Sequence, residues 1–271
     1  MQRLIKLILS VFVFQSLVAN TNSMALAEEK STAHQSDVDF VYYYAVFSKF
    51  KPGKAKEARE FIYTRFWSVD EKIGRKPLAF DPLTGPWDHM VFFRLEGGLA
   101  DAEIANTSQM KKWNTEFQDQ EGGPEESQLA QASFDALVDE SVTGIFKIPA
   151  KHAGKLESEY SFLADKKYFR LILANCKPGS APVASELLLN EFLPALESTG
   201  RMIAPFFCVA GIYDHVAFLE IDPSDLEHIE TDKNDLAWIQ AIGGEEKATE
   251  TQSKYSELAR KIRREVAVAR W

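Results

Sequence analysis

Displaced by 126 residues, the chain matches itself: Lys51-Pro52-Gly53 falls on Lys177-Pro178-Gly179, Gly74-Arg75 on Gly200-Arg201, and Gly85 on Gly211. At the same displacement Tyr42, Ala58, Glu60, Phe66, Glu71, Phe80 and Phe92 meet identical residues, and Asp88-His89 meets Asp214-His215. About fifteen identities over roughly fifty ungapped positions exceed what shared composition supplies, so the chain reads as two copies of one unit. Any fold assigned to one copy must also suit the other.

Residues 41–50 and 168–176 are β-rich runs apolar on both faces, as expected of strands covered on both sides. Lys-Pro-Gly breaks each run. Lys54 to Ile73 and Ala181 to Thr199 then carry apolar residues at helical spacing, with Gly74 and Gly200 as stops. Lys76–Phe80 with His89–Leu95, and Met202–Val209 with His215–Ile221, read as hairpins. Helical segments follow at Ala105–Phe117 and Leu226–Ile239, then at Glu125–Val138 and Glu246–Arg264, leading to last strands at Val142–Ile148 and Val266–Trp271. The order β-α-β-β-α-(α)-β is that of a ferredoxin-like unit. The expected class is therefore α+β: repeats at 40–146 and 167–271, joined by a charged linker at 147–166, with their bare sheet faces packed face to face as an intrachain barrel.

This duplicated topology resembles the dimeric α+β-barrel superfamily, which includes antibiotic-biosynthesis monooxygenases, chlorite dismutases and dye-decolorising peroxidases. The resemblance covers residues 40–271 and rests on topology rather than on a catalytic motif. For an enzyme it implies cofactor-independent oxygenation or a related transformation. Gly-x-x-Asp-His also differs by one residue from the Gly-x-x-Asp-Gly of dye-decolorising peroxidases, whose aspartate works beside haem. Haem would need an axial ligand, for which His228 is the candidate, with His215 behind it. No cofactor is expected otherwise, and no clustered Cys/His spacing points to a metal.

Two readings of the Asp-His pair stand. In one, Asp88 and Asp214 bond turn amides, the imidazoles satisfy nearby carbonyls, and duplication preserved a sound hairpin. In the other, His89 and His215, on the more apolar strand face, meet a cavity as acid-base groups. The neighbouring aspartate points to the opposite face and does not orient its own histidine. Tyr43, Tyr44 and Trp87 become Phe169, Arg170 and Tyr213 in the second copy, so the copies are asymmetric, and an apolar pocket is expected in one of them. Arg170, set in an apolar strand, requires a partner or a ligand anion if it points inward.

The N-terminus couples Arg3 and Lys6 to an apolar run from Leu7 to Val18 and Ala25-Leu26-Ala27, the pattern of a signal peptide cleaved after Ala27, followed by a polar tail at 28–39. A periplasmic protein without stable membrane insertion is expected. The formal net charge of −9 disfavours nucleic acid, and the basic cluster at Arg260, Lys261, Arg263 and Arg264 reads as a helix face. Cys176 and Cys208 fall on strands separated by another strand, which disfavours a disulfide. The leading expectation is a barrel binding a small apolar or aromatic molecule, with His89 or His215 as catalytic group and Tyr43, Tyr44, Trp87, Arg170 and Tyr213 as ligand contacts. A non-catalytic interaction or assembly module competes with it, and a haem oxidoreductase stands third. Monomer and homo-oligomer both remain open.

Overall fold

The computed structural model describes residues 39–159, 167–221 and 236–270. The stretch read as a signal peptide, nearly all of the stretch read as a polar tail, and His228 lie outside them. Eight strands close into one antiparallel barrel: β1 (Phe40–Phe50), β2 (Leu78–Pro82), β3 (His89–Arg94), β4 (Val138–Pro149), β5 (Tyr168–Cys176), β6 (Ile203–Ala210), β7 (His215–Ile221) and β8 (Ala259–Ala269). Around the barrel they run β1-β3-β2-β8-β5-β7-β6-β4. Each half thus supplies four adjacent strands in one order, and the halves meet at two seams, β2 with β8 and β6 with β4.

The first helix, α1, joins Ala55–Phe61 to Trp67–Ile73 through a π-helical turn at Ile62–Phe66. It ends where Gly74 takes φ +74°, a left-handed cap that a Cβ would disfavour. After β3 come α2 (Ser108–Glu121) and α3 (Pro124–Asp135); α4 (Ala150–Glu159) follows β4. In the second half α5 repeats α1, with Ala181–Leu187, a π-helical Leu188–Phe192 and Leu193–Ser198. It is followed by α6 (Leu236–Ile242) and α7 (Glu245–Leu258).

Alternation along the strands sorts the side chains into two layers. Tyr43, Ala45, Phe47, Met90, Phe92, Phe146, Phe169, Leu171, Phe206 and Phe218 point inward and form the central core. Phe80 stacks on Phe218 at 3.6 Å between ring centroids, and Phe206 stacks on Phe92 at 4.2 Å. These pairs exchange under the 126-residue displacement, so the interior has a local two-fold arrangement. Residues of opposite parity point outward beneath the helices.

Three expectations need correction. The helix placed at Glu246–Arg264 ends at Leu258, and β8 begins at Ala259, because pairing with the whole of β5 outweighs the helical preference of its Arg, Lys and Glu residues. The basic cluster therefore lies on a strand. The stretch read as linker starts with the end of β4 and then forms α4, whose His152, Ala153 and Leu156 are buried while Lys151 and Lys155 stay exposed. Ala153 and Leu156 join the central core, so α4 stops one end of the barrel. Lastly, the inward side of β3 is that of Met90 and Phe92, which leaves His89 on the outer face. Cys176 and Cys208 lie on β5 and β6 with β7 between them, the strand separation expected from the sequence.

Candidate functional site

The duplicated Asp-His turn is first of all a fastener. The Phe50 amide donates to Asp88 Oδ2 at 2.8 Å, and the Cys176 amide donates to Asp214 Oδ2 at 2.6 Å. Both amides lie where the register of β1 or β5 slips by one residue, so the aspartate satisfies a backbone donor that the bulge leaves unpaired. The two turns also meet: Trp87 Nε1 donates to Tyr213 Oη at 2.9 Å, a bond between equivalent positions of the two copies. For the aspartates the structural reading holds.

The histidines differ from this and from each other. Asp81, the penultimate residue of β2, lies beside His89 on the outer wall, and α1 lies over both. His89 Nδ1 is 2.9 Å from Asp81 Oδ1, to which the Tyr63 hydroxyl also donates at 3.0 Å. Arg59 Nε lies 3.3 Å from Asp81 Oδ2, and Arg270, beyond the end of β8, donates its Nε–H to the same oxygen at 3.0 Å. Arg59 also donates to the Asp88 carbonyl at 2.9 Å, tying this cluster to the turn. Asp81 is 1% exposed and His89 3%. Burial pushes the Asp81 carboxyl up, but the His89 hydrogen bond and charge, Arg59 and the Tyr63 hydroxyl outweigh it and hold the group below its usual range. Burial, and then the Asp81 charge, raise the Tyr63 phenol, which therefore stays protonated and donates. An ionised carboxylate can only accept, so Nδ1 of His89 donates to Asp81, and Nε2 is the ring nitrogen that this pair leaves for other contacts.

In the second half the same imidazole meets only neutral groups. His215 Nε2 lies 2.8 Å from Ser185 Oγ, its Nδ1 2.9 Å from Tyr255 Oη and 3.8 Å from Cys176 Sγ. Burial lowers His215 to about 4 against the opposing pull of Asp214. Burial also raises the Cys176 thiol to about 11, with Asp214 adding to it, so this sulfur is not an activated nucleophile. At the 126-residue displacement Arg59, Tyr63 and Asp81 correspond to Ser185, Leu189 and Phe207. The second half thus completes the same architecture without the ionic cluster.

The depressed His215 has a consequence for stability. Between about 6.5 and about 4 the unfolded chain binds a proton at this position that the folded chain does not, so its contribution is complete above pH 6.5 and is lost as pH falls towards 4. The full loss is about 3 kcal/mol. In urea unfolding at pH 7 and pH 4.5, a His215→Gln variant should lose less stability than the parent over this interval. Equal losses would show that His215 does not titrate in this way.

The residues expected to line one pocket occupy different layers. Tyr43 and Trp87 belong to the interior core, and Tyr213 packs against it. The Tyr43 hydroxyl donates to Glu157 of α4 at 3.0 Å, and Glu157 in turn pairs with Arg94 at 2.7 Å. Tyr44 and Arg170 are half-buried on the outer face, so Arg170 is not the inward charge considered above. A pocket combining all five is ruled out by strand parity. Haem does not suit the two duplicated histidines as packed here: both nitrogens of His215 have protein partners, and His89 is held by Asp81 beneath the Tyr63 ring. Among the described residues there is no group of metal-ligating side chains, and no helix is long and apolar enough to cross a membrane.

Sequence reasoning missed Asp81, Tyr63, Arg59, Arg270, Ser185 and Tyr255. A usable signal existed for the first three: polar or charged residues that the other copy exchanges within an otherwise shared pattern.

No protein-family model matches the chain, and no curated protein matches it in sequence. Among solved structures, an anthrone oxidase-like protein is similar over 87% of this chain and 93% of its own, with 8% identity and a TM-score of 0.51. A mutant chlorite dismutase from Candidatus Nitrospira defluvii is similar over 85% of this chain and 91% of its own, with 12% identity and a TM-score of 0.45. The first of these likenesses shows a shared fold, an α+β barrel.

Proposed function

We propose that the protein is an exported α+β barrel of two ferredoxin-like repeats that transforms a small, largely apolar or aromatic molecule without a cofactor, using His89 as the acid-base group. One observation carries this reading. The buried Asp81–His89 pair, with Tyr63, Arg59 and Arg270 around it, occurs in one half only, while the other half folds without it. A cluster dispensable for the architecture and costly to desolvate is a candidate for chemistry. Asp81 fixes the tautomer and orientation of the imidazole, and Nε2 accepts a proton from an acidic C–H beside a phenol or carbonyl. The resulting carbanion passes its electrons to dioxygen. For anthrone, suggested as a probe by the fold neighbour, the balance is anthrone plus dioxygen giving anthraquinone plus water. Entry requires Tyr63, which packs edge-on against His89, to swing away, and the π-helical turn Ile62–Phe66 that carries it, where the regular bonding of α1 is interrupted, is where the helix gives way.

Oxygen uptake with anthrone tests the proposal. His89→Gln should lower the rate by about 10² or more, and His215→Gln should leave it within about twofold. Equal rates in the parent and in His89→Gln would overturn the assignment. The competing assembly reading is favoured by the purely structural role of the Asp88 and Asp214 turns, and absence of any uptake by the parent protein would strengthen it.

A further inference from the structure

Where the two duplicated turns meet, the barrel mouth is not equally filled on its two sides. In the first half Phe47 stands opposite Val142, and Lys49 opposite Glu140. At the corresponding ladder positions of the second half Leu173 stands opposite Arg263, and Asn175 opposite Lys261. The same exchange places Tyr213 where the first half has Trp87. One ring is thus lost and another becomes smaller, and the strand next to them changes from an acidic and an apolar residue to two cations. A groove of about 200 Å³ results, lined by these second-half residues together with Ile212 and by Pro86 from the opposite turn.

The groove has the features of a ligand site rather than of a packing fault. Neither the Lys261 nor the Arg263 side chain has a hydrogen-bond or ion-pair partner among the described residues, although the chain has a net charge of −9 and other surface cations find carboxylates. Glu265, next on the same face of β8, is not part of the lining and accepts the Thr84 hydroxyl at 2.7 Å. The opposite wall is prearranged: Asn175 Nδ2 donates to the Ile212 carbonyl at 2.6 Å, and Trp87 fixes the Tyr213 hydroxyl. Ile212 is 42% exposed, an apolar surface offered beside two cations.

We propose that this groove binds a small carboxylate with a flat apolar body, of the size of benzoate. The planar guanidinium of Arg263 matches a carboxylate fork, Lys261 adds a point charge, and Leu173, Ile212, Pro86 and the Tyr213 ring cover the body. The volume is below that of drug-sized pockets, about 300 Å³ and upward, which limits the ligand to a single ring or a short branched chain. None of the lining residues belongs to the Asp81–His89 cluster, so the site is distinct from the catalytic reading above and does not depend on it.

Benzoate titrated into the mature protein, followed by calorimetry and by amide chemical shifts, is the test. Saturable millimolar or tighter binding is expected, weakening as salt is raised, with shifts at Asn175, Ile212 and Tyr213. Arg263→Gln, at a half-buried position on the groove wall and outside the apolar core clusters, should weaken it about tenfold or more, and benzamide, without the charge, should bind about tenfold more weakly. Leu173→Phe, which restores the ring of the first half, should abolish binding. Failure of benzoate to saturate, undiminished affinity in Arg263→Gln, or equal affinity for benzamide would each overturn the proposal.

Discussion

Cutting Phe92 back to alanine should cost about 3–5 kcal/mol of folding stability, near the upper end for a single core substitution. The ring is fully buried and stacks on Phe206 at 4.2 Å, with Phe47, Phe80, Phe146 and Phe218 all within 6.2 Å between centroids. Two effects add. The transfer free energy of the ring is lost, and a closed barrel of mutually wedged rings has few ways to relax into the vacated volume. Stacked and edge-on geometry contributes a further ~0.5–1.5 kcal/mol per aromatic pair. Leu129→Ala, at a residue 69% exposed, provides the contrast and should stay within about 0.5 kcal/mol of the parent. If denaturant unfolding gave Phe92→Ala a loss as small as that of Leu129→Ala, the description of the interior as a rigid ring stack would be wrong.

Asp81→Ala should have an effect of similar size for a different reason. It leaves the His89 imidazole, the Tyr63 hydroxyl and the Arg59 and Arg270 guanidiniums without the acceptor they share, at a residue 1% exposed. Removing one partner of a buried ionic cluster typically costs about 3–5 kcal/mol, because the remaining charge keeps its desolvation penalty. The protein contains its own control. Replacing Arg59, Tyr63 and Asp81 together by serine, leucine and phenylalanine, the residues of the second half, should recover most of the lost stability. The same triple variant should show no His89-dependent oxygen uptake. A triple variant as unstable as Asp81→Ala would mean that the first half depends on its ionic cluster for folding, and the argument from dispensability would fall.

Much of the architecture was legible because duplication let each segment be read twice. β5 and β7 match their expected bounds, and the expected β1 falls one residue short, since both Lys-Pro-Gly turns break their strands at the same place. The first helix was legible from its apolar spacing and from Gly74, although its π-helical turn was not, because such a turn changes bonding without changing residue type. The inward face of β3 was misread for a physical reason. Both faces of a barrel strand are covered, one by rings and the other by a helix, so apolar content does not distinguish them. The ionic cluster was harder still. Asp81 lies one residue beyond the expected end of its strand, and Arg59, Tyr63 and Arg270 reach it from elements brought together only by barrel closure.

Each seam between the halves is short: β2 pairs with β8 over Phe80–Pro82, and β4 pairs with β6 over Ile145–Lys147 with a slip in register. A half on its own would carry two open sheet edges, the usual invitation to self-association. Two identical halves could satisfy each other, but every substitution would then occur twice. Covalent linkage removes that constraint. The chain behaves as an obligate heterodimer whose stoichiometry is fixed by a peptide bond, and it can hold an ionised Asp81 cluster in one half, a neutral Ser185–His215–Tyr255 cluster in the other, and two cations on one side of a shared mouth. A symmetric assembly must apply every change to both of its equivalent positions, whereas this chain is free to divide labour between them.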